Sequence, residues 1–383
     1  MNTVDAASPP ATGSAPGHPD PFPTTADLPR TPDGEIQLVT PDGRLHPDAH
    51  PDHDALGRLT RDLYRGMRLA RRLDDEAFAL QRQGELGLWL QCRGQEAAQV
   101  GSIAAVRADD YVFPSYREHA AALWRGIGPA DLLRQWRGVA HSGWDPRPHS
   151  FHIYTLVLAA QLLHATGYAL GVQRDSSDTL VVAYFGDGAA SEGDASEAMN
   201  IAATNDAPVL FFCQNNQWAI STPASAQSRT PIHRRAAGFG LRSERVDGND
   251  VLAVHAVTSA LAAHVRSGAG PALVEATTYR MGGHSTSDDP TRYRTDSELD
   301  AWRGKDPLGR VEALMRAEGW SDTAYLDGIQ AEADELADRT RRECLALRAP
   351  DLADAFTTVL ADVPQLLREE REAFVAYRGS FLD

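Results

Sequence analysis

Residues 184–222 read YFGDGAASEGDASEAMNIAATNDAPVLFFCQNNQWAIST, and this stretch decides the fold. An apolar strand ends in Gly186-Asp187-Gly188. A helix of small residues follows. A second apolar strand, residues 209–213, then delivers Asn215-Asn216 at its own end, with 26 residues between Gly188 and Asn215. Strand, helix and strand in that order predict a parallel sheet, whose strand ends open on one edge where ligands bind.

The residue types suit a divalent metal and a diphosphate. Mg²⁺ takes hard oxygen ligands and keeps substrate phosphates and waters in its shell. Asp187 offers a carboxylate oxygen, Asn216 an amide oxygen and Trp218 a backbone carbonyl. Glycines let the backbone approach phosphate without a Cβ in the way. Gly-Asp-Gly alone is an ordinary turn sequence. The specificity lies in its combination with strand, helix, strand and spacing.

Outward from this stretch the alternation continues. Residues 54–83 show apolar positions at helical spacing: Leu59, Leu63, Met67, Ala70 and Leu73. A helix of small residues opens at Gly94-Gln95-Glu96, residues 111–113 form a short strand, and Ser115-Tyr116-Arg117 begins another helix. Residues 138–155 read as a loop, 158–173 as a helix, 179–185 as a buried strand. Residues 245–246, 251–266 and 272–278 give strand, helix and strand. The fold class is α/β, a parallel sheet covered by helices. Three divisions are expected: a disordered or extended arm over 1–53, the α/β domain over 54–305, and a helical region over 306–383. Within the last, 308–317, 325–347 and 352–360 read as helices, followed by a tail.

Composition narrows the function. The formal net charge is −16, which argues against nucleic-acid and anionic-membrane surfaces. No run of about 18 apolar residues predicts a membrane span. The first 35 residues lack an apolar signal core, and the three scattered cysteines suit a reducing compartment, so a cytoplasmic location is expected. No G-x-G-x-x-G follows an early strand, which argues against a nicotinamide-dependent Rossmann enzyme.

Further markers follow in order: GQEAAQVGS from Gly94, DYVFPSYREHA from Asp110, AISTP from Ala219, and YRMGGHSTSDDPTRYR from Tyr279. With the opening stretch, they make the chain resemble the alpha subunits of thiamine-diphosphate-dependent, decarboxylating 2-oxo acid dehydrogenases. The resemblance covers residues 54–374, and is closer to the branched-chain type than to the pyruvate type. It implies the diphosphate-binding half of the thiamine-diphosphate fold, and oxidative decarboxylation with acyl transfer to lipoamide. It places Mg²⁺ on Asp187, Asn216 and the Trp218 carbonyl. It places the cofactor against Tyr116, Arg117, Gly186, Gly188, Ala189 and Arg280, with Leu158 propping its bent shape. It makes His284 the active-site histidine, a residue type that exchanges protons near neutrality.

The resemblance also implies what this chain lacks. The glutamate that activates the cofactor belongs to a beta subunit, so an α₂β₂ heterotetramer is expected, serving a lipoyl-bearing acyltransferase. Intact Asp187, Asn216, Tyr116, Arg117 and His284 argue against a silent scaffold. Two departures stand out. Gln214 occupies the place of a diphosphate-binding arginine. Ala160 offers no side-chain oxygen where some members bind potassium near Thr155 and Gln161.

Overall fold

A computed structural model describes residues 25–47 and 52–381. In chain order its elements are α1 (His53–Arg82), α2 (Glu96–Ala104), β1 (Tyr111–Phe113), α3 (His119–Trp124) and α4 (Pro129–Arg134). Next come α5 (Pro146–His149), α6 (Ala160–Arg174), β2 (Val181–Gly186), α7 (Gly193–Thr204) and β3 (Val209–Asn215). A small hairpin of β4 (Trp218–Ala219) and β5 (Thr222–Pro223) leads into α8 (Ala224–Gln227) and α9 (Ile232–Gly238). Then follow β6 (Arg242–Asp247), α10 (Val251–Arg266), β7 (Ala272–Thr277), α11 (Asp296–Arg303), α12 (Pro307–Ala317), α13 (Thr323–Ala346) and α14 (Gln365–Gly379).

Five strands form one parallel sheet in the order β1-β2-β3-β7-β6. The strand residues alternate between two cores, as the pleat requires. Val182, Tyr184, Leu210, Phe212 and Val274 face the side covered by α1, α2 and α10. Val181, Ala183, Phe185, Phe211 and Cys213 face the side covered by α6, α7 and α9. Both faces are dry, which is why the strands read as unbroken apolar runs. Register sets Gly186 beside Gln214 and Asn215 beside Thr277, so the ends of β2, β3 and β7 line up at one edge. Among the described residues no helix is long and apolar enough to cross a membrane.

Over residues 25–47 the arm expected as disordered or extended is an ordered segment that packs on the domain. Ile36, Leu38 and Val39 are buried. Ile36 donates to the Arg245 carbonyl (2.9 Å) and accepts from the Asp247 amide (3.0 Å), running beside β6. The Asp250 carboxylate accepts from the amides of Leu38 (2.7 Å) and Val39 (2.6 Å) while also capping α10 through Leu252 and Ala253 (both 3.1 Å). The remainder of the expected arm, 1–24 and 48–51, lies outside the described residues. At the other edge, Val112 of β1 donates to Ser150 (2.9 Å) and accepts from His152 (2.8 Å).

Three local expectations are also corrected. Tyr116 and Arg117 precede α3 instead of opening it, since Ser115 and Glu118 close a turn there (Oγ to Oε2, 2.8 Å). The predicted helix over 352–360 is one 3-10 turn, Leu352–Phe356, which gives out at the Thr357-Thr358-Val359 run of β-branched residues. The expected tail instead contains α14, which begins after Pro364 and buries no side chain.

Candidate active site

Asp187 follows β2, and Asn216 follows β3. The chain beyond Asn216 turns back sharply, with Gln217 (φ 74°) and Ile220 (φ 53°) in the left-handed region. Such residues cost about 1–2 kcal/mol each and need support. Asn215 Oδ1 accepts from the Gln217 amide (3.3 Å), and Arg280 donates to the carbonyls of Trp218 (2.8 Å) and Ile220 (2.7 Å). Asn215 is itself held by Glu275 (2.9 Å). Burial works against the charged form of Glu275, but hydrogen bonds from His233 and Asn215 outweigh it and hold the carboxyl below its usual range.

This turn brings the expected metal set together. The Asn216 amide donates to Asp187 Oδ1 (3.3 Å), and the Trp218 amide donates to Asn216 Oδ1 (3.3 Å). Asp187 is buried, and burial raises its pKa despite donors from Gln227 (2.9 Å) and Asn216. No arginine hydrogen-bonds it among the described residues, so a bound cation would relieve the buried charge. The Trp218 carbonyl keeps a second lone pair beyond its bond to Arg280. One carboxylate, one amide and one carbonyl make an all-oxygen set that fits Mg²⁺ completed by phosphate and water. Among the described residues no cluster of three or more His, Cys, Asp or Glu could hold a metal, so such an ion depends on these other oxygens.

The second group lies on the loop after β7. Arg117 is buried and donates Nη2 to the His284 carbonyl (2.8 Å) and Nη1 to the Gln91 carbonyl. The Tyr116 ring meets the His284 ring edge-on at 6.2 Å. Burial, then the neighbouring Arg117 and Arg280, push His284 down to about 4. Asp288 accepts from the His284 amide (2.6 Å) and from the Tyr293 hydroxyl, and Arg280 donates to that same hydroxyl (3.0 Å). The histidine loop and the 216–220 turn therefore share Arg280.

Residues 64–345 match the dehydrogenase E1 component family. The chain belongs to that family. The alpha subunit of 3-methyl-2-oxobutanoate dehydrogenase of Mycobacterium tuberculosis is 43% identical over 338 residues, covering 88% of this chain and 92% of that protein. The mitochondrial 2-oxoisovalerate dehydrogenase subunit alpha 2 of Arabidopsis thaliana is 39% identical over 328 residues, covering 80% and 68%. The human mitochondrial 2-oxoisovalerate dehydrogenase subunit alpha is 34% identical over 334 residues, covering 83% and 74%. Membership implies dependence on thiamine diphosphate.

The remaining expected residues of this E1 component chain can now be placed. Gly188 lies against the 216–220 turn, where a Cβ would stand 2.9 Å from that of Ala219. Gly186 has only the Gln214 carbonyl near such a Cβ, at 3.9 Å, leaving room beside it. Ala189 is buried just beyond. Leu158 is 43% exposed, not core, in a loop tied to Ser115 through the Thr155 amide (3.1 Å). Gln214 is engaged behind Arg117, with Glu118 and Gln99. It is buried, donates to Glu118 (2.6 Å) and accepts from Gln99 (3.1 Å). His149 bonds the Arg125 carbonyl (3.0 Å), and the His152 ring lies 4.8 Å from that of Phe113. Sequence reasoning missed Gln95, which accepts from Asn216 Nδ2 (3.3 Å), and Gln227, Asp288 and Tyr293. Gln95, Asp288 and Tyr293 sit inside quoted markers, but nothing in their type announced a partner.

Proposed function

We propose that this chain is the alpha subunit of a branched-chain 2-oxo acid dehydrogenase that decarboxylates the acid and passes its acyl group to lipoamide. The observation that carries the reading is the convergence of Asp187, after β2, with Asn216 and the Trp218 carbonyl of the supported turn after β3, joined through Arg280 to the His284 loop. The relatives' printed names favour a branched substrate over pyruvate.

Bound thiamine diphosphate supplies the electron sink for loss of CO₂. The chain's own residues bind and orient. Asp187, Asn216 and the Trp218 carbonyl hold Mg²⁺. Arg117 has donors beyond the two already used, and with Tyr116 it takes diphosphate oxygens. Gly186, Gly188 and Ala189 admit the phosphates, Leu158 props the cofactor, and Arg280 orders the turn. His284, uncharged at neutral pH, offers one acceptor and one donor nitrogen for proton movement during acyl transfer.

The described residues contain one five-stranded sheet, and Leu156, Val157, Leu158 and Ile220 stand exposed near its ligand edge. Apolar surface of that kind suits burial against a beta subunit in an α₂β₂ heterotetramer. Region 306–383 packs partly on the 54–305 domain and partly on partner subunits, a lipoyl-bearing acyltransferase receives the acyl group, and the complex works in the cytoplasm. The test is co-expression with the beta chain and rates on 3-methyl-2-oxobutanoate and pyruvate, with Asp187→Ala as control. Decarboxylation is expected only with both chains, faster on the branched acid, and absent in the variant. Full activity of this chain alone, or preference for pyruvate, overturns the corresponding part.

A further inference from the structure

Asp74 on α1 touches none of the site residues, yet its carboxylate is fully buried. It accepts three N–H groups from one short stretch. Trp89 Nε1 (2.7 Å) and the Cys92 amide (3.2 Å) meet Oδ1, and the Arg93 amide (3.1 Å) meets Oδ2. Residues 89–94 are neither helix nor strand although Trp89, Leu90 and Cys92 are buried. Buried irregular backbone must find partners for its polar groups.

Those partners are the parts of the site. The Trp89 carbonyl accepts from the Thr286 amide (2.9 Å), and its amide donates to Thr286 Oγ1 (3.0 Å). The Leu90 carbonyl accepts from His119 Nε2 (2.9 Å), and the Gln91 carbonyl from Arg117. The Arg93 carbonyl accepts from the Met281 amide (3.1 Å), and the Gly94 carbonyl from Thr278 Oγ1 (2.8 Å). One strap therefore offers three of its donors to Asp74, and its acceptors to Arg117, to His119 and to the loop 278–286 on both sides of His284.

We infer that Asp74 is a positioning residue, fixing the strap 89–94 so that Arg117 and the His284 loop stand in register for the diphosphate; this rests on the function proposed above. A carboxylate is suited to the place because both oxygens accept. An asparagine there would turn an NH₂ group toward an N–H, leaving buried donors unpaired. Small misplacements passed to a site from a distance cost up to about 10²-fold.

The test uses the full chain purified with its beta chain. It reads the dissociation constant for thiamine diphosphate with Mg²⁺, the split between kcat and KM, and the rate of tryptic cutting after Arg292 and Arg294. Asp110→Asn is the control. Asp110 is equally buried and bonds Leu180 and Arg266, away from the ligand edge. Asp74→Asn is expected to weaken cofactor binding by about tenfold or more and to speed cutting, with Asp110→Asn changing neither. Wild-type behaviour of Asp74→Asn, or equal shifts in both variants, overturns the inference. If Asp74→Asn yields no folded complex, Trp89→Phe decides by the same readouts. It deletes one donor and should shift both in the same direction, and no shift overturns the inference. Failure of the wild-type complex to bind the cofactor would instead sink the proposed function.

Discussion

A half-buried imidazole between two guanidiniums gives up its proton early. His284 is pushed to about 4 from an ordinary 6.5, so between those values the unfolded chain binds a proton that the folded chain does not. The stabilisation is complete above about pH 6.5 and is lost as pH falls toward 4, roughly 1–2 kcal/mol after solvent screening. Thermal melts across pH 4–7 should therefore show a shallower acid loss in His284→Gln than in the wild type. Gln214 carries a second residue-scale expectation. Replacing it by Leu strips a donor from the buried Glu118 and an acceptor from Gln99, costing about 1–3 kcal/mol by urea titration. The identity of Gln214 was plain in the sequence, but the face on which it points was not. The register of β3 and the partners behind it decide that, and the partners, Glu118 and Gln99, lie about a hundred positions away. The meeting of Asp187, Asn216 and Trp218 was legible because all three sit within one local strand–helix–strand unit. The Asp288–Tyr293–Arg280 links were not, because hydroxyls and carboxylates in a polar loop have many possible partners.

Elements followed the same division. Helix α1 was visible from the spacing of its apolar stripe because that face is buried against α2, α3, α12 and α13. The last helix had no such stripe to show, since α14 buries none of its side chains. Its exposed Leu366, Val375 and Tyr377 suggest that its partner lies on another chain. Deleting residues 364–383 should accordingly change the chain's own stability by less than about 1 kcal/mol while reducing assembly with the beta chain. Size-exclusion chromatography of the co-expressed pair reads the second effect. A melting temperature lowered by more than about 4 °C would show that α14 supports the body instead.

For the whole molecule, the parallel α/β class was legible and the closing of its margins was not. Residues 25–47 look like linker by composition, yet Ile36, Leu38 and Val39 enter the core through the Asp250 carboxylate. Asp250→Ala removes the acceptor for four amides at once and should lower stability by about 2–4 kcal/mol, measured by denaturant melts. Partial proteolysis should then release the segment before the domain unfolds. The same segment has a larger meaning together with Phe151 and its neighbours. Ile36 runs along β6 and the 150–152 stretch runs along β1, so each outer strand is already bonded to a chain that is not itself a strand. Along those stretches the border offers no free ladder to a passing polypeptide. Where those bonds lie, a neighbouring copy finds backbone already paired, so fusion of one sheet to the next is disfavoured there.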